Sequence, residues 1–471
     1  MATETINTIS PSTNKPILTR HGLSPSDVLA LGTRAQSAFK SFQKTHPTLA
    51  SRQEIVKKAL SVIEARTDEL AAELTDQMGR PIAYTGKEIS TALLRANYML
   101  RISDEALAPT PGDAETGFKR YIERLPIGVV LVIFAWNYPY LILVNSLIPC
   151  ILAGNAVILK PSPQTPTIAE HMKAIFEECG LPKDLIQYLH CGSPSELSPL
   201  ILSPTVNHVT FTGSVAGGLA VQKIAADRID LTVGLELGGK DPSYVRADAD
   251  PAWAADEIID GAVFNSGQSC CAIERVYVHA HVYDAFVAEA QKILAGYKVG
   301  DPRRRDTNVG PVVSARAKDA ILTQIAQAKA AGARDETPAN ESFTNLPATG
   351  GNYVAPALLT DVTHDMAIMT EETFGPVVPV MKVSGDEEAI ALMNDSQFGL
   401  TATIWTKDVP RGEELAREVQ AGTVFVNRAD YPSPDLAWTG WKDSGKGVTM
   451  GRWGFEQFVK MRSVHVKDYP K

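Results

Sequence analysis

At 471 residues the chain is too long for one simple core, and two or three domains are expected. Hydrophobic residues at 44% and charged residues at 21% exclude wholesale disorder, and a net charge of -9 argues against nucleic acid or an anionic membrane as the main partner. Five cysteines, an odd number without a C-x-x-C pair, suit free thiols in a reducing compartment; neither a disulfide framework nor a metal site is expected.

The first fifteen residues carry neither the apolar stretch of a secretory signal nor the arginines of a mitochondrial presequence, so the expected location is cytoplasmic. Apolar positions spaced by three and four predict helices over 27–43, 51–78 and 87–107, with Ser51 and Glu54 forming a capping box. Residues 109–113 break that pattern, and from residue 121 strands and helices alternate. The β-branched run 128–134 reads as a parallel strand buried on both faces. The longest apolar stretch, 141–159, has the length of a membrane span, but Asn145, Ser146, Pro149, Gly154 and Asn155 interrupt it. It reads instead as a buried helix, a Gly-Asn turn and a strand over 156–159. Strands at 185–189 and 208–211 and a helix at 168–179 continue a doubly wound α/β unit.

A second α/β series follows Glu236. Strands are expected at 242–245, 275–278, 377–383, 401–406 and 423–426, helices at 254–264 and 283–294, and loops at 302–306 and 334–351. The alternating stretch 463–467 is expected to pair with a strand elsewhere, within the chain or across a subunit boundary.

Three segments carry candidate chemistry. The Cys270-Cys271 pair follows a polar, Gly-containing approach, a better setting for a reactive thiol than an apolar helix face, although buried cysteines are commonly plain core residues. Glu236 lies between two leucines and before two glycines, where desolvation would raise its pKa towards the range of a general base; a structural carboxylate before a turn is the alternative. Asn137 follows a buried strand, where its amide is placed either to donate to an oxyanion or to close an Asx-turn.

Seven motifs in one order extend these segments: W-N-Y-P at 136–139, L-K-P-S at 159–162, F-T-G-S at 211–214, L-E-L-G-G-K at 235–240, G-Q-S-C-C at 267–271, E-E-T-F-G-P-V at 371–377 and K-D-S-G-K-G at 442–447. With them the chain resembles the aldehyde dehydrogenase superfamily over nearly its whole length. The resemblance implies a Rossmann-like doubly wound cofactor domain (1–106 and 124–237), a second α/β catalytic domain (238–450), and a small bridging β element (107–123 and 451–471) that joins subunits into a homodimer or homotetramer. It also implies that Cys270 attacks an aldehyde, that the Asn137 amide and the Cys270 N–H hold the oxyanion, and that Glu236 activates the water that hydrolyses a thioester.

By the same resemblance NAD is the cofactor, with NADP left open. Trp136, Lys160, Ser162, Pro163, Gly213, Ser214, Gly218, Leu237, Gly238, Glu372 and Phe374 fall at its binding positions, the 211–218 turn offering a helix N-terminus to the pyrophosphate. Pro163 stands where NAD-preferring members often carry a glutamate, which is what keeps NADP open. Tyr138, Ile142, Asn145, Ser269, Cys271 and Trp438 are implied to line the substrate tunnel, with the unusual loop 428–438 beside it. The competing readings are a catalytically silent relative with the same fold, a semialdehyde- or CoA-acylating variant, and a cysteine hydrolase. Glu236 argues against CoA, and none of the nine histidines falls in the seven motifs to serve a hydrolase.

Overall fold

The computed structural model describes residues 4–192 and 194–469. A hairpin of strands Thr5–Ile9 and Pro16–His21 opens the chain, and four helices follow, Pro25–Thr45, Leu49–Ala65, Thr67–Met78 and Ile82–Ala106. The expected 51–78 helix is thus two. Its cap is Thr48, whose hydroxyl accepts from the Ser51 N–H at 3.3 Å, so Ser51 lies inside the first turn rather than before it. The break falls at Arg66 (φ -102°, ψ 12°), where the Thr67 hydroxyl donates back to the Glu64 carbonyl at 2.8 Å and Asp68 and Glu69 favour a new N-terminus.

The first main sheet has the order 186–188, 156–160, 129–133, 208–212, 232–236, and these strands run parallel. In chain order that is 3-2-1-4-5, so the connections reverse direction between Val129–Ile133 and His208–Thr212. Open α/β sheets bind ligands at such a switch point, beyond the carboxyl ends of the strands. The 141–159 stretch forms helix Pro139–Ala153, ended by Gly154 in the left-handed conformation (φ 93°), and then strand Ala156–Lys160. Among the described residues no helix is long and apolar enough to cross a membrane.

The second sheet has the order 334–335, 357–360, 377–383, 273–279, 241–245, 401–405, 423–426, parallel except at its first edge. In a third, strand Val459–Lys467 pairs antiparallel with Phe118–Pro126 of its own chain, which in turn pairs with Thr110–Pro111. Before reaching it, the chain crosses back to the first sheet. Gly445 and Lys446 pair with Glu236 and Leu235, while Met450, Phe455 and Phe458 join the core packed around that sheet.

His208 marks that crossing. Its ring contacts the Thr232 hydroxyl at 2.6 Å and Gln457 Oε1 at 3.3 Å. Burial pulls its pKa down to about 4, against those hydrogen bonds. The unfolded chain therefore takes up this proton first, and the contribution of neutral His208 to stability is lost as pH falls from about 6.5 to about 4. Urea unfolding at about pH 7.5 and pH 5 tests this: the wild type is expected to lose more stability over that interval than His208→Asn. Equal losses would remove His208 from the acid response.

Candidate active site

The cysteine pair is presented by a turn of unusual backbone. Helix Pro251–Val263 ends in Phe264–Gly267, where Asn265, Ser266 and Gly267 have φ of 54°, 59° and 71° in succession. Left-handed conformation at non-glycine residues costs on the order of 1–3 kcal/mol each and persists only where surroundings enforce it. Here Asn265 Nδ2 donates to the Gln268 carbonyl and Gln268 Nε2 to that of Asn265, both at 3.1 Å. The Ser266 hydroxyl donates to Gly310 O (2.9 Å) and the Val313 N–H to Gln268 Oε1 (2.7 Å). A Cβ on Gly267 would lie 2.1 Å from Gly375 O, so only glycine lets the E-E-T-F-G-P-V segment approach this closely. Ser269, Cys270 and Cys271 then lead into strand Ile273–His279.

A cavity of about 260 Å³ opens beside the turn. Asn137, Glu236 and Cys270 all line it, as do the six expected tunnel residues Tyr138, Ile142, Asn145, Ser269, Cys271 and Trp438. Asn137 leaves the carboxyl end of strand Val129–Ile133, and its side-chain amide has no partner among the described residues. The Asn137 backbone carbonyl accepts from buried Arg80, a residue the motifs do not reveal. Arg80 also pairs with Glu88, donates to Asn265 Oδ1 at 3.0 Å and lies 4.2 Å over the Tyr138 ring, tying the Asn137 segment to the cysteine turn. Glu88 in turn accepts from the Tyr140 N–H at 2.8 Å.

Glu236 ends strand Thr232–Glu236. The Thr449 and Thr212 hydroxyls donate to its two oxygens, the latter at 3.4 Å, but burial prevails and raises its pKa. Thr449 is held by a reciprocal backbone pair with Trp438, 2.8 Å each way. The two cysteines differ. Cys271 is buried and its thiol donates to Asp430 Oδ1 at 2.9 Å; its interaction with Cys270, burial and Asp430 together push its pKa well up. Cys270 is the half-exposed one. Asp430, which reads in the sequence as one solvated charge of a loop, lines the cavity, and burial pushes it up to about 7.

The cofactor candidates gather at the carboxyl ends of the first sheet and along the facing 371–376 segment. Ser214 caps helix Val215–Ala225, its hydroxyl accepting from Gly217 N at 3.2 Å, and the Gly213 N–H donates to Glu236 O at 3.0 Å. A Cβ on Gly218 would fall 2.6 Å from Leu237. Lys160 sits opposite Ile133 in the strand register and is buried, and its ammonium group makes no hydrogen bond or ion pair among the described residues. Ser162 Oγ accepts from Gln164 N at 3.2 Å, and the Pro163 carbonyl accepts from Thr8 of the opening hairpin at 2.7 Å. Across the crevice Phe374 packs edge-on against Trp136 with ring centres 5.7 Å apart. Glu372 covers Gly238, whose Cβ would fall 2.2 Å from Oε1, and accepts from the Gly239 N–H at 3.1 Å. Burial and Glu274 push Glu372 up to about 7.

One further residue, Glu274, escapes the motifs. Glu274 accepts from the Thr373 and Phe374 amides at 2.8 Å each and pairs with buried Lys240 at 2.8 Å, fastening the 371–376 segment to the second sheet. A helix N-terminus with backbone donors and a buried, unengaged lysine on the next strand but one fit the phosphates and ribose of a dinucleotide.

A switch-point crevice is where open α/β sheets take dinucleotides, and here its floor residues Thr212, Glu236 and Leu237 also line the cavity that holds the two thiols. The aldehyde dehydrogenase family profile matches residues 1–464. An aldehyde dehydrogenase of Paenarthrobacter nicotinovorans is 34% identical over 465 residues, spanning 98% of this chain and 99% of that one. An NADP-dependent succinate-semialdehyde dehydrogenase of Mycobacterium ulcerans is also 34% identical, over 98% and 99%. Among solved structures, an NAD-dependent aldehyde dehydrogenase of Sinorhizobium meliloti superposes with a TM-score of 0.92 at 30% identity, covering 99% of this chain and 92% of that one. The succinic semialdehyde dehydrogenase of Streptococcus pyogenes, in complex with NADP+, also gives 0.92 at 28% identity, over 98% and 100%. The chain belongs to the aldehyde dehydrogenase family, and its reaction is the NAD(P)-dependent oxidation of an aldehyde.

Proposed function

We propose that the acid is formed through a covalent adduct on Cys270 and released by water. The observation that carries this reading is the placing of Cys270, Asn137 and Glu236 in the wall of one cavity, with the neighbouring thiol of Cys271 occupied by Asp430. The Cys270 thiol loses its proton to solvent as its sulfur bonds to the aldehyde carbon, and the carbonyl oxygen becomes an alkoxide within reach of the unpartnered Asn137 amide and the Cys270 N–H. NAD(P)+ when bound supplies the hydride acceptor that turns this adduct into a Cys270 thioester. Glu236 then takes a proton from water; the water oxygen bonds to the acyl carbon, the C–S bond breaks, and acid and free thiol result. A desolvated carboxylate in the cavity wall favours water over CoA as the acyl acceptor.

Trp136, Lys160, Ser162, Pro163, Gly213, Ser214, Gly218, Leu237, Gly238, Glu372 and Phe374 are assigned to the cofactor, with residues 1–106 and 124–237 as its domain. Residues 238–450 form the catalytic domain, with 107–123 and 451–471 bridging subunits of a cytoplasmic homodimer or homotetramer. Strand Val459–Lys467 supports the assembly, since it leaves one edge unpaired and exposes Met461 and Val466. The test is an aldehyde panel with NAD and NADP in parallel, scoring reduced cofactor and carboxylic acid. One acid per reduced cofactor without added CoA is expected; turnover that requires CoA would overturn the hydrolytic reading.

A further inference from the structure

Arg95 stands buried in the wall of the same cavity, and no step above uses it. It comes from helix Ile82–Ala106, whose buried positions Ile89, Ala92, Ala96 and Met99 set it on the inward face. Its Nε has no hydrogen-bond partner, and among the described residues its guanidinium forms no ion pair. The ionisable groups that face it from around the cavity are Cys271, Glu236, Cys270 and Asp430, none of them in contact with it. Asn145, also in the wall, has its Oδ1 buried and unpartnered. The other charges there are accounted for: Arg80 is paired with Glu88, and Lys87 is exposed.

A guanidinium cannot shed its proton, so burial without a partner is unfavourable until an anion arrives. We infer that the tunnel selects aldehydes carrying a carboxylate at the end remote from the reacting carbon, and that Arg95 takes that carboxylate. This rests on Cys270 as the attacking group. A planar guanidinium matches a carboxylate with paired donors, and the cavity volume of about 260 Å³ suits a short chain between the two ends. A cationic aldehyde fits less well. Its natural partner, Asp430, already accepts from Cys271 and Ser269, and the cation would share the cavity with Arg95.

The experiment compares a four-carbon ω-carboxy aldehyde, its methyl ester, butanal and a trimethylammonio aldehyde on wild type, Arg95→Met and Arg95→Lys. Wild type is expected to prefer the carboxy aldehyde. In Arg95→Met the carboxy-to-butanal ratio of kcat/KM should fall on the order of 10- to 100-fold, mainly through KM for the carboxy substrate, with part of it regained in Arg95→Lys. An unchanged ratio in both variants, or a wild-type preference for the ester or the ammonio aldehyde, overturns the inference. Failure of the wild type to oxidise any of the four would instead count against the Cys270 reading itself.

Discussion

Replacing Cys270 by alanine is expected to abolish aldehyde-dependent formation of reduced cofactor, by roughly 10⁴-fold or more in kcat, while cofactor still binds. The expectation rests on the division between the two thiols. Cys271 is committed to Asp430 and held protonated, so it has no route to act in its neighbour's place. Nothing in the switch-point crevice depends on the Cys270 side chain, because the helix N-terminus and Lys160 come from the first sheet. Stopped-flow turnover and quenching of intrinsic fluorescence by the cofactor measure the two halves separately. Full turnover by Cys270→Ala, with loss in Cys271→Ala, would move the nucleophile by one residue.

Glu236→Gln is expected to uncouple the reaction. Glutamine keeps the size of the side chain and an oxygen to accept from Thr449, but it cannot take a proton from water. The variant should release about one equivalent of reduced cofactor per site in a burst and then stall, with steady turnover lowered by about 10²- to 10⁴-fold. Intact-protein mass spectrometry should find the acyl group on Cys270. The sign of the pH dependence follows from the raised pKa of Glu236. Base catalysis needs the carboxylate, so wild-type turnover should fall as pH drops through a value above the ordinary 4.5 of a glutamate. A Gln variant that turns over steadily at the wild-type rate would sink the assignment.

The repeating strands of both sheets were legible because parallel strands buried on two faces are written as unbroken apolar runs; Val377–Val383 and Thr423–Val426 match their expected bounds residue for residue. The opening hairpin was not, because its five- and six-residue strands are mostly polar and only Ile6 and Thr8 of the first are well buried. Asn137, Glu236 and Cys270 were legible because each sits in a motif, and with them came the neighbours Tyr138, Ser269 and Cys271 that line the same cavity. What escaped were partners brought from a distance: Arg80 reaching Asn265 across 185 positions, and Glu274 joined to Lys240 of the L-E-L-G-G-K motif. Arg95 carried a usable signal. It falls within the three- and four-residue spacing of a buried helix face, where a charged residue asks for an explanation. Asp430 stood out only as one of the charges of the 428–438 loop, since a carboxylate in a polar loop looks the same whether it faces solvent or a cavity.

The return of the chain to its first sheet bears on how the protein is made. Glu236 takes one strand partner and one hydroxyl donor from nearby Thr212, but the second of each from Gly445 and from Thr449, 213 positions later, and Trp438 in turn holds Thr449. On the ribosome, the dinucleotide crevice and the cysteine turn emerge while the base still lacks one of its two hydroxyl donors. A fragment that stops short of residue 445 therefore carries the thiol and the base but not the Thr449 donor that completes the setting of the base.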